Sequence, residues 1–177
     1  DDQRLAAYAD CHLTYSGAAV SSFTGLDHLE GQALQVKAGG ASHANATVSA
    51  GAVSLDREVT RIVAGLSAPA KLMVMPLSTG SQLGTAAGKI KRINKLQVSL
   101  LNCLGGKIGP DFDTTQGIPY RRPTDAMDAP PPMIVDEDVE IDFPGDYDKR
   151  ATIALLCDQG FPFTLKAFLP DVTLYEG

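Results

Sequence analysis

From Lys95 onward the chain alternates. Leu96, Val98, Leu100 and Leu104 are apolar, while Lys95, Gln97 and Ser99 are polar. A period of two suits a strand with one buried face, because successive side chains point to opposite sides of a sheet. Just upstream, Lys89, Lys91, Arg92 and Lys95 form the only dense basic run in a chain of formal net charge −6. Gly88–Leu104 therefore reads as a basic entrance leading into a half-buried β-strand. The residues before it read as one small β module, and those after it as the rest of a second.

The chain has 177 residues, enough for one sizeable core or two small ones. Two are expected because Ser78–Gly88, STGSQLGTAAG, is rich in small residues and glycine, the composition of a flexible junction. The predicted fold is all-β, with two small antiparallel sandwich or barrel modules at 1–78 and 79–177. Hydrophobic residues make up 44% and charged residues 20%, which places the chain among ordinary folded proteins. It opens on Asp-Asp, without a basic segment leading into an apolar one, so a piece of a longer protein without a secretion signal is expected. No apolar run approaches the roughly 18 residues that a membrane-spanning helix needs.

In chain order, a strand is expected near Ala9–Tyr15, closed by Ser16-Gly17. Gly25–Gly31 is too short for an ordinary helix and predicts a single 3₁₀ turn with Leu26 and Leu29 on one side. Strands come next at about Ala33–Ala38, Thr47–Ala50, Ala52–Leu55, Val59–Ala64 and Lys71–Met75, with Asp56-Arg57 among the reversals. Asp111–Pro132 reads as a long irregular loop, of the kind that lies across a neighbour. Val139, Ile141 and Phe143 alternate with Glu140 and Asp142, giving one buried face and one wet acidic face. Ala151–Asp158 is apolar on both parities and belongs in the middle of a sheet. Phe161, Phe163, Leu165, Ala167 and Leu169 are expected on one face of the next strand, with Val172–Tyr175 as a last edge.

Candidate chemistry is sparse. Cys11, Cys103 and Cys157 contain no C-x-x-C pair and read as buried reduced thiols, with one disulfide and a leftover thiol as the alternative. His12, His28 and His43 show no metal-ligand spacing. There is no G-x-S-x-G elbow, and adjacent Cys11 and His12 on a strand would face opposite ways. Asp111, Asp113, Asp136, Glu137, Asp138, Glu140, Asp142, Asp146 and Asp148 supply oxygen ligands of the type calcium prefers, but none follows the helix-loop-helix pattern. A solvated strand face is the simpler reading. Asn45-Ala-Thr47 matches a glycosylation acceptor, which carries little weight without a secretion signal. No catalytic residue, metal ligand or cofactor is assigned.

The acidic balance, with a pI near 4.9, argues against broad nucleic-acid binding, which depends on neutralising many phosphates. A local basic patch is still allowed. Lys89, Lys91, Arg92 and Lys95 have no aromatic residue interleaved, so a base-stacking platform is not expected. They are read as inter-subunit or channel-facing groups that pair with acidic residues such as Asp136–Asp142 of a neighbouring subunit. Lys91 and Arg92, lying ahead of the buried alternation, are expected at the surface.

Four segments carry a resemblance: GLDHLEG (Gly25–Gly31), VSAGAVSLDREVTRIVAGL (Val48–Leu66), GTAAGKIKRIN (Gly84–Asn94), and APPP with the later FPGDYD (Ala129–Pro132, Phe143–Asp148). In this order they resemble the C-terminal region of tailed-bacteriophage structural proteins of the stabilisation or tail-nozzle type. The first module also resembles the small β domain named after the first catalytic-cysteine half-domain of ubiquitin-activating enzymes, a likeness of fold that implies no ubiquitin chemistry. The resemblance implies a non-enzymatic tail component, assembled in the host cytoplasm and carried in the virion. It also implies a homo-oligomeric ring around the DNA exit channel, with other tail proteins as partners and transient contact with passing DNA. A carbohydrate- or receptor-binding module is the alternative from a different class. The absence of Trp and the 6% aromatic content weigh against it.

Overall fold

The computed structural model describes residues 6–78, 80–81, 84–85, 87–126 and 132–175. Strands are β1 (Ala9–Thr24), β2 (Ala33–Ala38), β3 (Ala41–Thr47), β4 (Ala52–Ser67), β5 (Ala70–Met73), β6 (Gly80–Ser81), β7 (Gly84–Thr85), β8 (Lys91–Cys103), β9 (Lys107–Gly109), β10 (Gln116–Gly117), β11 (Ile134–Asp142), β12 (Ala154–Cys157) and β13 (Thr164–Leu174). The fold is all-β, and among the described residues every strand pairing is antiparallel and no sheet closes into a barrel. Among the described residues no helix is long and apolar enough to cross a membrane. The chain forms two compact units, Asp1–Pro69 with Arg121–Met133 and Asp158–Pro162, and Ala70–Tyr120 with Ile134–Cys157 and Phe163–Gly177.

The first unit is a four-stranded sheet in the order β1-β4-β2-β3. Its core gathers Phe23, Leu34, Val36, Val53 and Ile62 from the strands and Leu26 and Leu29 from the 3₁₀ turn Asp27–Leu29. The Glu30 carboxylate accepts the Ala50 and Gly51 N–H groups at 2.9 and 2.8 Å, tying that turn to the loop before β4.

Two expected reversals are bulges instead. β1 runs through Ser16-Gly17, where residues 17–19 oppose Thr60 alone. β4 runs through Asp56-Arg57, where residues 55–58 oppose Ser21 alone. Turn-like residues absorb surplus length within a long pair as readily as they reverse a chain, and a bulge turns the strand without ending it. A third bulge sets Cys11 and His12 against Gly65, with Cys11 at φ +48°. It leaves Cys11 exposed, which corrects the expectation of three buried thiols; Cys103 is buried, Cys157 is half-buried, and all three are free thiols.

The segment Asp158–Pro162 packs on this same unit. Gly160 O accepts the Tyr8 N–H at 2.8 Å, and Asp158 O accepts Gln35 Nε2 at 3.2 Å. The Lys37 ammonium lies 4.7 Å from the centroid of Phe161 and donates to Ala6 O.

The second unit holds one core between two sheets, β10-β9-β12-β5 and β11-β8-β13, and also contains the separate β6-β7 pair. Leu96, Val98, Leu100 and Leu104 are buried, as the alternation predicts. Fully removing each such side chain from water is worth about 1.5–3 kcal/mol as an upper estimate. β12 lies between β9 and β5 with Ala154 and Leu155 buried, the central position its composition requires.

β5 pairs with β12 and so belongs to the second unit, not to the sheet of the strands that precede it. The last strand also differs from its sequence pattern. β13 begins at Thr164, and a bulge between Leu165 and Ala167 shifts its parity, so Phe168 and Val172 pack on the core while Leu169 is exposed. Phe161 lies outside the strand, in the first unit. Of the expected loop Asp111–Pro132, Gln116–Gly117 pairs as β10 and Ile118 is buried, while 127–131 lie outside the described residues. Parts of the expected junction Ser78–Gly88 and of the APPP motif lie outside them too.

Candidate functional site

The second unit concentrates charge on the outward face of β11-β8-β13. Side chains directly across a ladder share a face of the sheet. Leu96, Val98 and Leu100 turn inward, so their neighbours Lys95 and Gln97 turn outward beside Asp138, Glu140 and Asp142 of β11 and Asp171 of β13. Lys95 Nζ donates to Glu140 Oε1 at 2.5 Å, Lys166 Nζ to Asp136 Oδ1 at 2.8 Å, and Gln97 Nε2 to Asp138 Oδ2 at 3.3 Å. The hydrogen bond and charge of Glu140 raise the Lys95 pKa above its ordinary value, and Asp136 does the same for Lys166. The wet acidic face is thus laced to its own sheet by two lysines.

The basic run separates. Lys89 is half-exposed in the bend before β8. Lys91, the first residue of β8, is 1% exposed. Its N–H donates to Asp148 O at 3.0 Å and its carbonyl accepts the Asp148 N–H at 2.9 Å, which joins the segment after Phe143 to the start of β8. Arg92 is exposed, with its guanidinium carbon 5.8 Å from the Tyr147 ring centroid. Lys95 is half-exposed by side-chain area, at 52%, and pairs within its own chain. The surface position expected for Lys91 is corrected by its burial, which follows from strand parity: Lys91 and Ile93 lie on one face. Lys166, the second basic anchor of the acidic face, gave no sequence signal, because its partner lies thirty residues away.

A cleft of about 100 Å³ opens beside this region, lined by Ile93, Pro110, Phe143, Tyr147, Asp148 and Thr152 among others. Small-molecule sites usually measure roughly 300–1,000 Å³, so this one admits a side chain or a small group and not a drug-sized ligand.

No protein-family model matches the chain, and no curated protein matches it.

The remaining candidates stay apart. His12 Nδ1 lies 3.0 Å from Ala9 O, and His43 Nε2 lies 2.9 Å from Asp56 Oδ1 across β3 and β4. His28 is in the 3₁₀ turn. Among the described residues, no group of three or more His, Cys, Asp or Glu side chains is placed to hold a metal ion. Asp111 Oδ1 accepts the Thr114 and Asp113 N–H groups at 2.6 and 2.9 Å, which closes a turn and lowers its pKa, Thr114 contributing most. Burial pushes the Cys103 thiol above its ordinary value, a setting that disfavours the nucleophilic thiolate.

Proposed function

We propose that this chain is a non-enzymatic structural subunit of a bacteriophage tail, of the nozzle or tube-stabilising type, that works as an oligomer around the DNA exit channel. One observation carries the reading: the segments that carry the resemblance build the framework of both units. Gly25–Gly31 contains the 3₁₀ turn and supplies buried Leu26 and Leu29, and Val48–Leu66 contains most of β4 with buried Val53 and Ile62. Gly84–Asn94 leads into β8, and Phe143–Asp148 bridges to the backbone of Lys91 at its start. A likeness spread over framework positions is a likeness of fold and assembly.

Exposed Arg92 is the member of the basic run best placed to meet a neighbour or passing DNA, in a ring carried by the virion and completed by other tail proteins. Immunogold electron microscopy of intact particles, with antibody raised against this chain, tests the assignment. Label on tails supports it, and particles that never carry label sink it.

A further inference from the structure

We propose that the open edge of β5 receives β11 from a second copy of this chain. β5 is the last strand of its sheet, and all four of its residues are exposed. On the side away from β12 it has no strand partner among the described residues. The extended course continues past Met73, since the Val74 N–H reaches Ile153 O at 2.9 Å and the Leu77 N–H reaches Arg150 O at 3.2 Å. Pro76, which lacks an N–H, limits the template to 70–75. Leu72 is 46% exposed and Met75 81%, and Lys71 is the only charged residue in that span.

Natural sheets protect such edges with bulges, proline or charge. β1 carries two bulges, and β13 carries one together with Pro170. β5 is unbulged and short, with Lys71 as its one charge and Pro69 and Pro76 only at its ends.

The occupant is chosen by charge and by geometry. β11 is also the last strand of its sheet. Its register with β8 has no shift from Ile134 to Asp142, so this nine-residue strand presents an unbulged outer edge. It carries Asp136, Glu137, Asp138, Glu140 and Asp142, together with Val135, which is 64% exposed. Two β11 edges cannot meet without setting carboxylates opposite carboxylates, which is unfavourable. A β5 edge sets Lys71 among the carboxylates of one face and, on the other face, gives Val135 the apolar company of Leu72. Joining unlike edges is a head-to-tail contact, which repeats from copy to copy and closes a ring where the rotation allows. The contact deepens the assembly proposed for this chain and rests on that proposal only for ring closure.

Crosslinking tests the contact. In a parent chain carrying Cys11→Ser, which removes the exposed thiol, Leu72→Cys and Val135→Cys are made separately, then mixed and treated with a short bismaleimide. The expected result is a crosslinked dimer in the mixture, absent from either variant alone and weakened at high salt, where screening reduces the Lys71–carboxylate attraction. Dimer in the Leu72→Cys sample alone would mean that β5 pairs with itself, and the proposal fails. It fails equally if the mixture gives no more dimer than a control pairing Leu72→Cys with Leu169→Cys on β13. A mixed dimer from a chain that never labels phage tails would keep this contact and discard the tail assignment.

Discussion

Lys95 Nζ and Glu140 Oε1 lie 2.5 Å apart within one chain, on neighbouring strands of the same sheet. The basic run therefore includes a residue whose partner is its own acidic strand, a buried residue in Lys91 and an exposed one in Arg92. These positions make different demands, and single substitutions separate them.

Arg92→Ser should leave the melting of the isolated chain unchanged to within about 0.5 kcal/mol, as surface changes usually do. Lys91→Ser should destabilise it by about 1–3 kcal/mol, because a long side chain that is almost wholly buried is lost. Chemical denaturation of both variants checks this; equal effects would mean that Lys91 is not held as described.

In the core, Val98→Ala should cost roughly 1–3 kcal/mol through lost burial and an incompletely closed cavity. Gly65→Ala tests the bulge in the first unit. A Cβ there would lie 2.8 Å from Asp10 O and 2.8 Å from His12 Cβ, so the backbone of β1 must move. The expected loss is about 1–3 kcal/mol. Urea unfolding measures both, and a neutral Gly65→Ala would mean that the bulge is placed wrongly.

Alkaline pH reports on Tyr120. Its hydroxyl donates to Gly105 O, and burial, with smaller contributions from the charges of Cys103 and Cys157, holds its pKa well above the ordinary tyrosine value. A raised folded-state pKa gives stability that is full below the unfolded value, near 10, and is lost as pH climbs toward the folded value. Tyr120→Phe should cost about 1 kcal/mol at neutral pH through the lost hydrogen bond. The gap between native and variant chains should then narrow above pH ~10. A gap that stays constant or widens over that range contradicts the assignment.

The regular part of each unit was legible in the sequence. The alternation of β8, the 3₁₀ turn and the central place of β12 follow from periodicity and composition alone. The bulges did not, because Ser16-Gly17 and Asp56-Arg57 carry the same residues whether a chain reverses or merely slips its register. A one-residue slip in β13 moved Leu169 to the surface and Phe168 inward. In the candidate site, the acidic face was readable from Glu140 and Asp142. Its lysine anchors were not, since pairing across strands is set by register. The burial of Lys91 was hidden by its charge, although its parity with Ile93 was in the sequence.

Immunogold labelling of intact phage particles tests the central claim most directly, because it locates the chain without assuming any contact. A tail subunit predicts gold confined to the tail, with repeated label per particle as expected of an oligomer. Label on the capsid alone, or a chain found only outside particles, would contradict it.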